Sequence, residues 1–533
     1  MSKTTTQQSI GRTRLCKPHT GHVFLIALCW ACDTGTPYGV GARPIAADVE
    51  GRPVAADPSR VSDGGGSPRE PTSSDDWISI GHDVSNTRHN RREHLLTTAN
   101  VGSLVEKWRF KPDATCVTST PAVYEGSVYF GDWNGHLHAL NARDGTLIWS
   151  TRVQEPIGLS LTSPLTGSPF VSADRVYIGG NAAQMFAVDR KSGRSLWTQP
   201  IIIDETDFDS ARIFSSAAVS DGLLVIGNAS YEVFVANNFT APLFGFGGPY
   251  TFRGSVVGLD ALTGALRWRT YLTPEWTYGI SVWSSAAIDP ARGLAFIGTG
   301  QSYTEPASKL ADALIALRLD DGAIAWSQQF TPDDAWSLGG TQKFDQDVGA
   351  SPNLFESDGV ALVGVGDKGG GYHVLSRDTG KLVWQRRLTA GSHLGGVMGT
   401  AAYADGQIFV ASNHGVSGFL TEEPRAMADI EHSYPTSATV FALDAGDGAV
   451  LWQTAVTPGV IGGVTVANGV AYFATTDGVL YALAIEDGRT LLTRKVGDST
   501  AGGVTVAGGM VLLGWGWDWA NGHQGGLVAY GLP

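Results

Sequence analysis

Cysteine is nearly absent from the body of this chain: Cys16, Cys29 and Cys32 lie in the first 32 residues and only Cys116 lies beyond them. An internal disulfide framework is thereby excluded. Basic charge is also short, with 37 Lys and Arg against 51 Asp and Glu and a net charge of -14. A nucleic-acid partner, which needs a basic face, is not expected. Charged residues amount to 17%, which argues against long solvated surface helices. No apolar run approaches the ~20 residues of a spanning helix. GxSxG and P-loop motifs are missing, CxxCH for a covalent haem is missing, and the 12 histidines show no zinc spacing.

The N-terminal residues set themselves apart. Arg12, Arg14 and Lys17 precede the short apolar run HVFLIALCWAC, the pattern of an export signal over residues 1–32. Ala31 before Cys32 resembles a bacterial lipoprotein cleavage site, with Cys29 where a leucine-like residue is usual. The protein is therefore expected in the periplasm or cell envelope, either cleaved free or lipid-anchored at Cys32, an anchor that would be its one membrane contact. Residues 33–76 are rich in Gly, Pro, Ala, Ser and Asp and read as a disordered linker.

What the chain holds in abundance is glycine, 69 residues, and tryptophan, 16. From Trp77 onward they fall into a repeated unit of strand, strand, a turn ending in Gly, and a closing Trp. The units close at Trp149, Trp197, Trp268, Trp326, Trp384 and Trp452, with Leu492 in the same place in a seventh. Stretches such as VYFG and LHAL have strand character, and the DG and TG turns suit positive φ. Each unit is a β-meander that cannot bury both faces alone, so the units are expected to stack as propeller blades with Trp as the plug between neighbours. Trp108, in NVGSLVEKWRF, supplies an eighth if that strand closes the ring against GGLVAYGLP. The fold expected over residues 77–533 is all-β, an eight-bladed propeller. Two long insertions, before Arg253 and after His414, read as loops over one face.

The unit vY-G-ALD-TG-W resembles the repeat of the pyrroloquinoline quinone (PQQ) dependent dehydrogenases, and is closest in pattern to their polyvinyl alcohol dehydrogenase branch. WISIGHDVSNTR, STPAVYEGSVYFGDWNGHLHAL, and DQDVGASPNLF followed by GVGDKGGGYHVL carry the likeness. It implies an alcohol oxidation in which hydride passes to PQQ, with electrons handed to a separate acceptor such as a cytochrome c. The substrate implied is a small or polymeric alcohol. Residue by residue, it implies Trp283 as the floor under the quinone, Lys368 as the cation by its oxygens, and Asp345 as the general base. It also implies Ca²⁺ held by oxygen donors from Glu232, Gln301 and Asp345, with Gln301 standing where the family has Asn. Asp347, two residues beyond Asp345, would face the same side of an extended strand and suit a lanthanide. Arg253, Ser215 and Ser216 are candidate contacts to the cofactor's carboxylates. Asp333 and Asp334, in TPDDAW, are rival acids. A cofactor-free propeller used as an envelope assembly scaffold shares the repeat and is the alternative.

Overall fold

The computed structural model describes residue 73 and residues 75–533, apart from 114, 156–163, 203–210, 236–249, 275–276, 338–344, 416–434 and 518–523. The expected export signal, Cys32 and nearly all of the expected linker lie outside the described residues, as does most of both long insertions.

Eight four-stranded antiparallel meanders follow one another along the chain. The first runs through Ala122–Tyr124, Ser127–Gly131, His136–Asn141 and Leu147–Arg152. The fifth, which contains the DxD segment's own strand, runs through Asn353–Ser357, Val360–Gly366, Gly371–Ser376 and Leu382–Arg387. The eighth is composite: Val105–Phe110 pairs antiparallel with Gly526–Gly531, so the chain's beginning closes the ring. The strand carrying Trp108 thus joins the last segment, as its sequence predicts. Burial falls outward along a blade: in the first, Ala122–Tyr124 is almost wholly buried, whereas in Leu147–Arg152 only Trp149 is buried. That gradient places the core between blades and around the central axis.

The closing tryptophans reveal why glycine precedes them. The indole N–H of Trp268 in blade 3 donates to the Leu319 carbonyl of blade 4 at 2.9 Å, and its ring lies on Gly322, where a Cβ would stand 2.3 Å from ring carbon. The same seat recurs for Trp108 on Gly145, Trp149 on Gly193, Trp197 on Gly264, Trp326 on Gly380, Trp384 on Gly448 and Trp452 on Gly488. Each DG or TG glycine therefore has two tasks: positive φ, +71° at Gly322, and a bare surface for the neighbouring blade's Trp. Sequence reading assigns it only the first. Trp268→Ala is expected to lower stability by about 3–5 kcal/mol through the cavity left between two blades, checked by urea denaturation.

Two further devices close the ring. Before the inner strands, the backbone N–H of one blade donates to a hydroxyl of the next: Thr120 to Ser168 (2.9 Å), Ser168 to Ser216 (2.8 Å), Ser216 to Ser285 (2.8 Å) and Ser285 to Ser351 (2.9 Å). Gly503 returns to Thr120 at 3.0 Å. The second is a strap, residues 77–90, that runs across the inner strands. Its carbonyls at Trp77, Ile78, Val84, Ser85, Thr87 and Arg88 accept in turn from Val123, Val171, Ile288, Leu354, Tyr403 and Val466, and Asn90 Nδ2 donates to the Val506 carbonyl. Arg88, 1% exposed, donates to carbonyls of Val464 and Val504 in two successive blades.

Candidate active site

The segments that precede the inner strands, the turns between second and third strands, and the links to the next blade all open at one end of the ring. Here Asp345 and Asp347 precede the inner strand of blade 5, Lys368 lies in that blade's second-to-third-strand turn, and Trp283 precedes the inner strand of blade 4. The GDKGGG turn brings Lys368 back over the DxD segment, whose Asp347 carbonyl accepts the Lys368 N–H at 3.0 Å.

Lys368 Nζ then reaches both acids, at 3.0 Å from Asp345 Oδ1 and 2.7 Å from Asp347 Oδ2. Asp345 Oδ2 lies 3.0 Å from His393 Nδ1, on the link to blade 6. Asp347 accepts the Gln301 backbone N–H on Oδ1 (2.9 Å) and the Trp283 indole N–H on Oδ2 (3.2 Å). The two acids are 3% and 4% exposed, so their charges depend on these partners. Burial pushes the Asp345 carboxyl up, but Lys368 and His393 outweigh it and hold it below the usual carboxylate range. Asp347 is raised, by burial and then by its neighbour Asp345. Burial disfavours the Lys368 charge, yet the two carboxylates overcome that and raise its pKa. At neutral pH the pair Asp345–Lys368 is charged on both sides.

Trp283 is half-buried. One part of its ring packs on Gly349, where a Cβ would lie 1.8 Å from ring carbon, and Lys368 Nζ stands 5.6 Å from the ring centroid. A buried apolar cluster of Val233, Phe252, Tyr303 and Trp336 lies on the His393 side of the site, with Trp336 5.3 Å from the His393 ring. The hydroxyl of Ser392, next in sequence to His393, is buried with no hydrogen-bond partner among the described residues. A half-open indole, a fixed ammonium and an idle hydroxyl suit a flat, anionic, aromatic guest such as PQQ.

The remaining sequence candidates are placed elsewhere. Glu232 spends both oxygens on Thr251 N (2.8 Å) and Phe252 N (2.9 Å), and burial raises its pKa against those bonds. The Gln301 side-chain amide donates weakly to the Trp336 carbonyl at 3.5 Å. Among the described residues no three acid, His or Cys side chains converge to hold a metal ion. The oxygen donors predicted for Ca²⁺ have the right chemistry, but with Lys368 between the two aspartates they do not form an ion site. Arg253 faces its own blade's outer strand, donating to the Thr273 carbonyl at 2.9 Å over the Tyr271 ring. The Ser215 hydroxyl donates to the Gly227 carbonyl (3.2 Å), and the Ser216 hydroxyl accepts from Ser168 in the ring of hydroxyls described above. Asp333 is exposed, whereas Asp334 is fully buried and accepts the Gln346 N–H at 3.0 Å.

Sequence reading overlooks His393, which sits in a featureless SHLGG link 48 residues past Asp345. Only the spacing of polar residues before each inner strand, at STPA, GSPF, SSAA and ASPN, offered a signal for the hydroxyl ring.

Comparison with known proteins agrees with this architecture. Residues 77–387 match the family described as glucose/ethanol/alcohol dehydrogenase, beta-propeller domain, and residues 436–523 match outer membrane protein assembly factor BamB. A polyvinylalcohol dehydrogenase of Pseudomonas sp. is 28% identical over 76% of this chain and 65% of its own length. Quinohemoprotein alcohol dehydrogenase ADH-IIG of Pseudomonas putida is 27% identical over 66% of this chain and 48% of its own length. The chain thus spans less than two thirds of these relatives. Among solved structures, the Pseudomonas putida ADHIIG enzyme superposes with a TM-score of 0.68 at 19% identity, covering 86% of this chain and 80% of that one. A europium-containing methanol dehydrogenase gives 0.66 at 17% identity, covering 86% and 99%. BamB from Moraxella catarrhalis gives 0.51 at 13%, covering 80% and 99%.

Proposed function

Because the chain belongs to the glucose/ethanol/alcohol dehydrogenase β-propeller family, we propose that it is a PQQ-dependent alcohol dehydrogenase acting on a secondary or polymeric alcohol such as polyvinyl alcohol. The observation that carries this reading is the buried Asp345–Lys368 pair beside the half-open face of Trp283.

When bound, PQQ supplies the acceptor for the hydride leaving the carbinol carbon. The protein's own groups do the rest. Asp345, kept ionised by Lys368, takes the hydroxyl proton as general base. Lys368 presents a fixed positive charge at the edge of the Trp283 surface, where negative charge develops during oxidation. Trp283 gives a flat seat for the quinone ring. Electrons then leave to an acceptor such as a cytochrome c. The basic and apolar N-terminal residues support export to the periplasm, with Cys32 as a lipid site.

Ca²⁺ or a lanthanide would have to draw Lys368 away from Asp345 or Asp347 before those oxygens became ligands. The purified protein is therefore to be titrated with PQQ alone, with PQQ and Ca²⁺, and with PQQ and a lanthanide, following tryptophan fluorescence and dye-linked oxidation of secondary alcohols. Saturable quenching and turnover are expected. No PQQ binding in any of the three would sink the proposal and favour the scaffold reading, which the BamB match over residues 436–523 keeps in view.

A further inference from the structure

We infer that Asp367 and His373 form a lock under the GDKGGG turn, and that this lock holds in place both of the side chains that bond Asp345, Lys368 and His393. Its effect on turnover rests on the proposed alcohol oxidation; the lock itself does not.

Both members are buried, Asp367 5% and His373 8% exposed. Asp367 folds its carboxylate back inside the turn between the second and third strands of blade 5. Its Oδ1 accepts the Gly371 N–H at 2.8 Å, and its Oδ2 lies 2.6 Å from His373 Nε2. A carboxylate accepts hydrogen bonds, so Nε2 is the donor. The rest of the imidazole is fixed as well: Nδ1 lies 3.3 Å from Gln385 Oε1, and the ring stacks on Phe330 with centroids 3.9 Å apart and planes at 12°. Gly371 leaves room for the ring, since a Cβ there would stand 2.7 Å from His373 Nε2. The backbone closes the same loop, with the Asp367 N–H on the Gly371 carbonyl and the Gly370 N–H on the Asp367 carbonyl, each at 3.1 Å.

Lys368 is the next residue along. The carbonyls of Asp367 and Lys368 also carry the link to blade 6: Asp367 accepts the Val397 N–H at 2.8 Å, and Lys368 accepts the Ser392 N–H at 3.3 Å. Gly391 and Gly396, at φ +74° and +63°, approach the Lys368 carbonyl so closely that a Cβ would lie 2.4 and 2.3 Å from its oxygen. His393 lies between these contacts in sequence. The link that delivers it to Asp345 is thus moulded on the two residues that the lock fixes, and a shift of the turn would displace Lys368 and His393 together. Asp367 and His373 are positioning residues.

The same device occurs in blade 1, with none of the site residues named above on it. Asp132 Oδ1 accepts the Asn134 and His136 N–H groups at 2.9 Å each, Oδ2 lies 3.0 Å from His138 Nε2, and that ring stacks on Phe130 at 5.0 Å. GDWNGHLH and GDKGGGYH align residue for residue, with Trp133 where blade 5 has Lys368. Blade 1 therefore provides the control for the purely structural part of the lock.

In the cofactor-free protein, His373→Phe keeps a ring on Phe330 but withdraws the donor from Asp367. Lys368, 8% exposed in the wild type, is then expected to be acetylated by acetic anhydride about tenfold faster, read by peptide mass spectrometry, and the amides of residues 391–397 to exchange hydrogen faster. His373→Gln, which returns an amide N–H toward Asp367, is expected to restore both rates. Asp367→Asn, which still accepts from Gly371, should raise them less, and it carries the test where His373→Phe does not fold. His138→Phe is expected to lower the melting temperature comparably while leaving Lys368 labelling and turnover as in the wild type. In the enzyme loaded with PQQ, His373→Phe should lower kcat about 10–100-fold with KM little changed. The acid limb of its pH–rate profile should move to higher pH, because Asp345 loses the close approach of Lys368 and His393 that keeps it ionised. Unchanged labelling and exchange in His373→Phe or Asp367→Asn overturn the lock. An equal loss of kcat in His138→Phe, or faster labelling of His373→Phe with wild-type kcat, overturns its positioning role. Faster labelling in a protein that never oxidises an alcohol with PQQ upholds the lock and overturns the proposed function instead.

Discussion

Asp345→Asn is expected to lower alcohol turnover by about 10²–10⁴-fold, the range for loss of a positioned general base, while PQQ still quenches tryptophan fluorescence. The substitution keeps shape and keeps an oxygen toward Lys368, but an amide cannot take the hydroxyl proton. Because Asp347 still meets Lys368 at 2.7 Å, the ammonium keeps an anionic partner and the fold should survive. Steady-state kinetics beside a thermal melt separates the two effects. Retained turnover would move the base to Asp347, which shares the same ammonium.

Lys368→Met is expected to cost about 3–5 kcal/mol, since it strands two carboxylates that are 3% and 4% exposed. Burial then acts on Asp345 with only His393 against it, so its pKa rises and the pH–rate profile shifts to alkaline pH. The linkage has a definite sign. In the wild type the depressed Asp345 adds stability that is present above the unfolded value of ~3.9 and lost as pH falls through the lower folded value. The variant should lack that acid-side loss, and its denaturant midpoint should be low at neutral pH. A midpoint equal to that of the wild type would show that the two carboxylates do not need the ammonium.

Much of this was legible because the fold is repetitive. A Trp that recurs after a DG or TG turn announces a blade boundary, and Trp108 could be placed in the eighth blade from its neighbours alone. The sequence shows the glycine beneath each Trp as a turn residue only, because the ring that needs it belongs to the preceding blade. Within the site, Asp345, Asp347, Lys368 and Trp283 converge. All but Trp283 come from one blade, where short-range spacing carries information. His393 does not stand out, since it belongs to the site by a contact with Asp345 from a separate segment that no local pattern records. Ser215 and Ser216 show the opposite error. Two adjacent hydroxyls resemble ligand contacts, yet the Ser216 hydroxyl belongs to the series, from Thr120 to Ser351, that bonds blade to blade through blades 1 to 5. The charge of Arg253 suggests a carboxylate partner, but the Tyr271 ring and the Thr273 carbonyl in its own blade claim it first.

The strap at residues 77–90 has a consequence for timing. Its bonds run, in order, from blade 1 at Val123 to blade 8 at Val506, leaving it no complete seat until the last blade exists. A ribosome makes it before any complete blade, together with the Trp108 strand that blade 8 also requires. The blades can each form from neighbouring sequence as they emerge, but the ring must wait open, with the strap unseated at blade 8, until Gly526–Gly531 has emerged. Loss of that one strand would therefore unseat the Trp108 strand and the far end of the strap at once.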